Sequence, residues 1–351
     1  MRLINILSII IILFSCKKED VSQNSLPDFL SNGTVVLCEG LFQQNNSSLS
    51  WIDNNSMSVN NNLFVQKSGR NLGDTGNDIK KYGSKIYIVV NFSSTIEVVD
   101  AKTFSPIKQI LMQNSGLSKQ PRNIEFFEGN AYVTCFDGFV DVIDTSSLSV
   151  IQRIPVGLNP EDLSISGDKL YVSNSGGLSL PSMDSTISII DLNTNTEIKK
   201  LTVGLNPGRC VTDSEGDVYV ISRGDYSNIS SCLVKVNSNT NIVDSVFNLD
   251  ITGISKMNDM FLITYYDYVS GYSSLSVFDT FLDEVTNNLS IDLSNITTLY
   301  GVAYNSFTNT IFISDAMNFV NSGYVYEYTS NGSLISSYNV GLNPSKFHFY
   351  E

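Results

Sequence analysis

Beyond residue 33 the apolar positions of the chain fall in short runs separated by Gly, Asn, Ser and Pro. Two kinds of run recur. One is almost continuously apolar, as in Lys85-Ile86-Tyr87-Ile88-Val89-Val90 and Lys169-Leu170-Tyr171-Val172, the pattern of a strand buried on both faces. The other alternates, as in Ile96-Glu97-Val98-Val99-Asp100, Val140-Asp141-Val142-Ile143-Asp144, Ile187-Ser188-Ile189-Ile190-Asp191 and Leu275-Ser276-Val277-Phe278-Asp279. A period of two sets small or polar residues on one face of the strand and Val or Ile on the other. No segment here carries a 3.6-residue period, and Gly or Pro interrupts nearly every candidate, so no helix is expected.

The runs repeat as a unit. Buried strands starting near Thr34, Lys85, Asn130, Lys169, Asp217, Asp259 and Thr310 are spaced roughly 40 to 50 residues apart, the period of four-stranded propeller blades. Gly-Leu-Asn-Pro occurs at 157–160, 204–207 and 341–344, each time between two strand-like segments. The first unit, from Thr34, has no strand before it, whereas the last carries an extra one, Ser345 to Tyr350. A C-terminal strand that completes the first unit closes the ring and leaves no gap. The predicted fold is therefore all-β: a seven-bladed β-propeller of four-stranded antiparallel blades over residues 34–351, closed by the C-terminal strand. An eighth blade would need another unit, and the sequence contains none.

Tyr171-Val172-Ser173-Asn174, with the Ile-x-Ile-Ile-Asp third strand and the Val-Gly-x-x-Pro connection, resembles the YVTN/YncE-type propellers. The resemblance spans essentially the whole chain after the N-terminal segment. It concerns residues that build blades, and so speaks to fold more than to function.

The N-terminus reads differently. Arg2 precedes an apolar run, Leu3 to Phe14, too short for a bilayer span, which needs about 20 residues. Leu13-Phe14-Ser15-Cys16 resembles a bacterial lipobox, which implies that residues 1–15 are a lipoprotein signal peptide and that Cys16 is the lipidated residue. The membrane would then be held by the lipid anchor alone. Lys17-Lys18-Glu19-Asp20 resembles the charged signal of surface-exposed lipoproteins and implies an outer-membrane protein facing the cell exterior. Residues 16–33 are expected to be a flexible tether.

Charge narrows the partners. A net charge of −14 argues against nucleic acid and against a polybasic grip on lipid. Besides Cys16 there are Cys38, Cys135, Cys210 and Cys232, without CxxC spacing or a nearby histidine, so neither a zinc site nor a disulfide is expected. The one histidine, His348, falls in the closing strand, where a packed structural role is expected and a Ser-His-Asp triad is not. No Walker motif or EF-hand spacing occurs, although Asp225 and Asp267 sit on loops that could hold calcium. No metal, cofactor or catalytic residue is assigned, and an enzyme is not expected.

In a propeller the loops from second to third strand and those between blades emerge on one rim. Aromatic residues recur there: Phe42, Phe92, Phe136, Tyr226, Tyr266, Tyr268 and Phe319. Connections between blades add Arg70, Arg122, Asn159 and Arg209, and a neighbouring loop adds Arg223 and Asp225. Guanidinium, amide and aromatic groups converging on one rim suit a large polar ligand with an apolar face. The alternative is that each serves a turn, an ion pair between blades or a cover over a blade end. Exported, lipidated propellers of this type look like proteins that capture cobalamin beside a TonB-dependent barrel in the outer membrane. The resemblance thus implies cobalamin or another large polar small molecule as ligand and such a barrel as partner. The competing reading is an adhesion or scaffold propeller that binds a protein or glycan through the same rim.

Overall fold

The computed structural model describes residues 26–286 and 289–351. The signal segment, Cys16 and the first part of the expected tether lie outside these residues. The described chain forms seven four-stranded antiparallel sheets arranged in a ring. The strands nearest the axis are Pro344–Tyr350, Gly76–Tyr82, Pro121–Phe127, Pro160–Ser166, Pro207–Thr212, Gly253–Met257 and Leu299–Asn305. We number the blades one to seven in that order. Each innermost strand packs against the next, around to the first.

Blade one holds the closure. Its inner strand is C-terminal and pairs with Gly33–Cys38, Val35 opposite His348, so the two ends of the propeller share one sheet. The fold is the all-β seven-bladed propeller that the repeat predicts, and blade one is completed by the strand that the first repeat lacks.

The apolar periodicity becomes interfaces between blades. In blade two, Ile86, Ile88 and Val90 pack toward blade one, while Tyr87 and Val89 face blade three. That is why the second strands are apolar at every position: both faces are covered by neighbouring blades. Seven such clusters occur among the described residues, one for each interface. The repeated aromatic of the second strand, Tyr87, Tyr132, Tyr171, Tyr219 and Phe312, is fully buried each time, and blade six has the equally buried Leu262 in its place. Three of these tyrosines donate their hydroxyls to the turn of the next blade: Tyr132 to Asn195 at 2.8 Å, Tyr171 to Asn241 at 2.8 Å and Tyr219 to Asp283 at 2.7 Å. Each acceptor sits at the left-handed position of its turn, with φ of 53–54°, a conformation Asn and Asp tolerate. Blade three has Leu148 at that position, and the Tyr87 hydroxyl has no partner.

Two local features depart from the sequence reading. Leu63–Ser68 forms a short helix that ends at Gly69, whose φ is 73°. The outermost strand of blade one is only Ser58–Asn60, and the helix fills the space beyond it with Leu63 and Phe64. A helix this short shows no readable period. The expected tether also ends early: Leu30 is buried in the first cluster, its N–H donates to the Lys102 carbonyl, and Gly33 already belongs to a strand. His348 lies in the closing strand as expected, its ring edge-on to Tyr350 at 4.9 Å, with Nε2 buried and unpartnered. Cys38, Cys135 and Cys210 are buried and Cys232 half-buried, all as free thiols. Cys210 and Cys232 are separated by the strand Val218–Ser222.

Candidate functional site

Each loop between blades is hydrogen-bonded to the next loop between second and third strands. Ser175 donates to the Asn159 carbonyl, Arg223 to Asn206 and Ala316 to Thr298. The two loop sets therefore form one rim, and the channel opens there into a chamber of about 600 Å³. A second cavity, of about 840 Å³, occupies the other half of the channel. Arg209, Thr252, Tyr300 and Lys346 border both and form the waist between them.

The chamber has two unlike walls. Blades three to five supply Arg122, Glu161, Arg209 and Arg223. Arg122 Nη2 donates to Glu161 Oε1 at 2.5 Å, and its guanidinium lies 4.7 Å over the Phe136 ring. Arg223 Nη2 stands 3.7 Å from the same carboxylate. Burial alone would raise Glu161, but Arg122 and then Arg223 hold its carboxyl down at about 2, so it is ionised. Gly208 leaves the room that Arg223 occupies: a Cβ there would fall 2.4 Å from Nε.

The opposite wall, on blades six and seven, is aromatic. Tyr266 meets Tyr268 edge-on at 4.9 Å, Tyr268 stacks with Phe319 at 6.2 Å, and Phe319 meets Tyr300 at 5.9 Å. The series ends in blade one, where the Tyr300 hydroxyl donates to Glu39 Oε2 at 2.7 Å. Burial pushes the Glu39 carboxyl up against the opposing pull of Tyr300 and Arg122. The loops that carry the exposed tyrosines begin alike. Asp225 Oδ1 accepts the N–H groups of Ser227, Asn228 and Ile229 at 2.7–2.9 Å, and Asp267 accepts that of Val269 at 2.8 Å. Each aspartate holds its turn, and the tyrosine that follows it projects over the mouth.

Six of the residues expected on the rim thus line one chamber: Arg122, Arg209, Arg223, Tyr226, Tyr266 and Tyr268. Phe136 and Phe319 stand behind it, against Arg122 and Tyr268. The other expected residues serve local structure. Arg70 turns away to clamp Glu97 at 2.6 Å. Phe42 and Phe92 pair edge-on at 4.7 Å and do not line the chamber. Asn159 ties its loop to the Phe136 carbonyl at 2.9 Å, and Asp225 is spent on its own turn. The long loop at 175–184 does not reach the chamber either.

Sequence reading missed Glu39, Tyr300 and Lys346. All three sit at strand ends or inward-facing strand positions, where a polar residue in an apolar repeat is the available signal. Among the described residues no group of three or more His, Cys, Asp or Glu side chains is placed to hold a metal ion.

No family model matches the chain, and no curated protein matches it. Solved structures do. A quinonprotein alcohol dehydrogenase-like protein from Bacteroides thetaiotaomicron aligns over 92% of this chain and 79% of its own, at 15% identity and a TM-score of 0.65. A protein of unknown function from Desulfotomaculum acetoxidans aligns over 91% and 98%, at 13% identity and a TM-score of 0.62. Hydrazine synthase from Kuenenia stuttgartiensis aligns over 75% and 86%, at 16% identity and a TM-score of 0.60. At these identities the likeness is one of fold.

Proposed function

We propose that this propeller is a binding module that captures a large polar small molecule in the chamber at its channel mouth. The observation that carries the reading is the pair of facing walls, guanidinium on blades three to five and aromatic on blades six and seven. A ligand suited to both has a planar apolar face for Tyr266 and Tyr268 and peripheral acceptors for Arg122, Arg209 and Arg223. Cobalamin, the ligand implied by the sequence resemblance, has that character in its corrin ring and peripheral amides. A molecule of that size fills the chamber with one part and meets the exposed Tyr226, Tyr268 and Val269 with the rest. With Cys16 lipidated, the module stands on the cell surface and passes its ligand to a TonB-dependent barrel in the outer membrane.

Calorimetric titration of cyanocobalamin into the purified protein tests this. Saturable one-to-one binding supports it, and no heat at high micromolar ligand removes cobalamin. A second reading, capture of a protein or glycan by the same rim, draws on the loop tips: Val269 is 97% exposed and Tyr268 70%. Binding of a macromolecule that survives loss of the chamber arginines would favour it.

A further inference from the structure

The waist of the channel carries cations that the protein itself pairs incompletely. Arg70, Arg122 and Arg153 each hold a carboxylate at 2.5–2.7 Å. Arg209 does not. Its nearest carboxylate, Asp162 Oδ2, is 4.0 Å from Nη1, beyond hydrogen-bond distance, and no hydrogen bond to its guanidinium is formed among the described residues. Lys346 borders the same two cavities from the closing strand; its Nζ is 3.5 Å from Asp78 Oδ1 and donates to Asn123 Oδ1 at 3.3 Å.

The chamber carries both signs of charge: Arg122, Arg209, Arg223 and Lys346 line it together with Glu39, Glu161, Asp250 and Asp267. Its carboxylates Glu161 and Glu39 are engaged by Arg122 and Tyr300, while at the waist Asp78 accepts the N–H groups of Ile79 and Ile124, and Asp162 those of Leu163 and Cys210. Burial, and after it the Arg209 charge, lowers Lys346 to about 8 against the opposing pull of Asp78 and Asp162. A planar fork and a point charge together suit an oxyanion.

On the reading of the chamber as a ligand site, we infer that its floor is an anion seat, where Arg209 and Lys346 receive a carboxylate or phosphate group of the ligand. The ligand enters with its anionic group toward the waist and its apolar face against Tyr266 and Tyr268.

Inorganic pyrophosphate is the probe. Titrated into the purified full chain at pH 7 and low ionic strength, it should bind one-to-one. Arg209→Gln and Lys346→Gln should each weaken it about tenfold, the loss of a hydrogen bond to a charged group. Lys200→Gln, a remote surface change, should leave it unaltered. Should either chamber variant fail to fold, the wild-type protein still decides: pyrophosphate must perturb amide signals of the closing strand near Lys346, not those of exposed lysines. Absence of saturable binding, or equal binding by Arg209→Gln, overturns the seat. Competition by pyrophosphate against cyanocobalamin shows that the seated anion belongs to the larger ligand, whereas pyrophosphate bound without competition marks a free-anion site and overturns the proposed orientation. If cyanocobalamin binds and pyrophosphate does not, the ligand site stands and the seat falls. The reverse result keeps the seat and removes cobalamin.

Discussion

Replacing Glu161 by Gln removes one charge from the guanidinium wall while keeping the shape of the side chain. The carboxyl is 9% exposed, accepts from Arg122 at 2.5 Å and lies 3.7 Å from Arg223. Its folded-state value of about 2, against 4.5 for an unperturbed glutamate, corresponds to about 3 kcal/mol at pH 7, at about 1.4 kcal/mol per decade. A buried ion pair broken on one side typically costs about 3–5 kcal/mol, so the two routes agree. For a domain of this length that is a fall in Tm of about 5 °C. Because the folded value lies below the unfolded one, the stabilisation is complete above pH 4.5 and is lost as the pH falls toward 2. Thermal scans of wild type and Glu161→Gln at pH 7, 4 and 2 should show the gap narrowing and then closing. A gap under about 1 °C at pH 7, or one that persists at pH 2, would refute the claim that ionised Glu161 organises this wall.

Three further outcomes follow from other parts of the ring. Gly208→Ala puts a methyl group 2.4 Å from Arg223 Nε on a backbone that accepts it, so Tm should stay within about 2 °C while cyanocobalamin affinity falls. Asn241→Ala removes the 2.8 Å acceptor of the Tyr171 hydroxyl, leaves it only the Ser238 carbonyl at 3.4 Å, and places Ala at a φ of 53°; differential scanning calorimetry should show a loss of about 2 kcal/mol, or about 3 °C. Burial, with a smaller push from Lys81, lowers His348 to about 4. The unfolded chain therefore takes up the proton first, and stability should rise by about 3 kcal/mol between pH 4 and 6.5. That rise should be absent in denaturation curves of His348→Gln.

Most of the fold was legible because the repeat is made of burial. A second strand covered on both faces must be apolar throughout, and a third strand must alternate, so Lys85–Val90 and Thr186–Asp191 announce themselves. The closing strand was legible from a missing partner at one end and a spare strand at the other. The helix at Leu63–Ser68 was not, since it spans fewer than two turns. Position on the rim was legible too, but side-chain direction was not. Arg70 and Arg122 occupy similar places in sequence, yet one clamps Glu97 beside the outer helix and the other faces the channel. Phe42 and Phe92 satisfied each other rather than the chamber. Lys346 could have been found by alternation: Phe347 and Phe349 pack into the last interface, which turns Lys346 and His348 toward the axis.

The central claim is that a ligand is held between the two walls of the channel mouth. Titrating cyanocobalamin into Tyr268→Ala, Arg223→Gln, the double variant and Phe42→Ala tests it most directly. Losses of about tenfold for each chamber variant, larger for the pair, with Phe42→Ala unchanged, are the predicted result. Equal affinity in all four proteins, or a loss confined to Phe42→Ala, would place the ligand elsewhere on the rim and contradict the account.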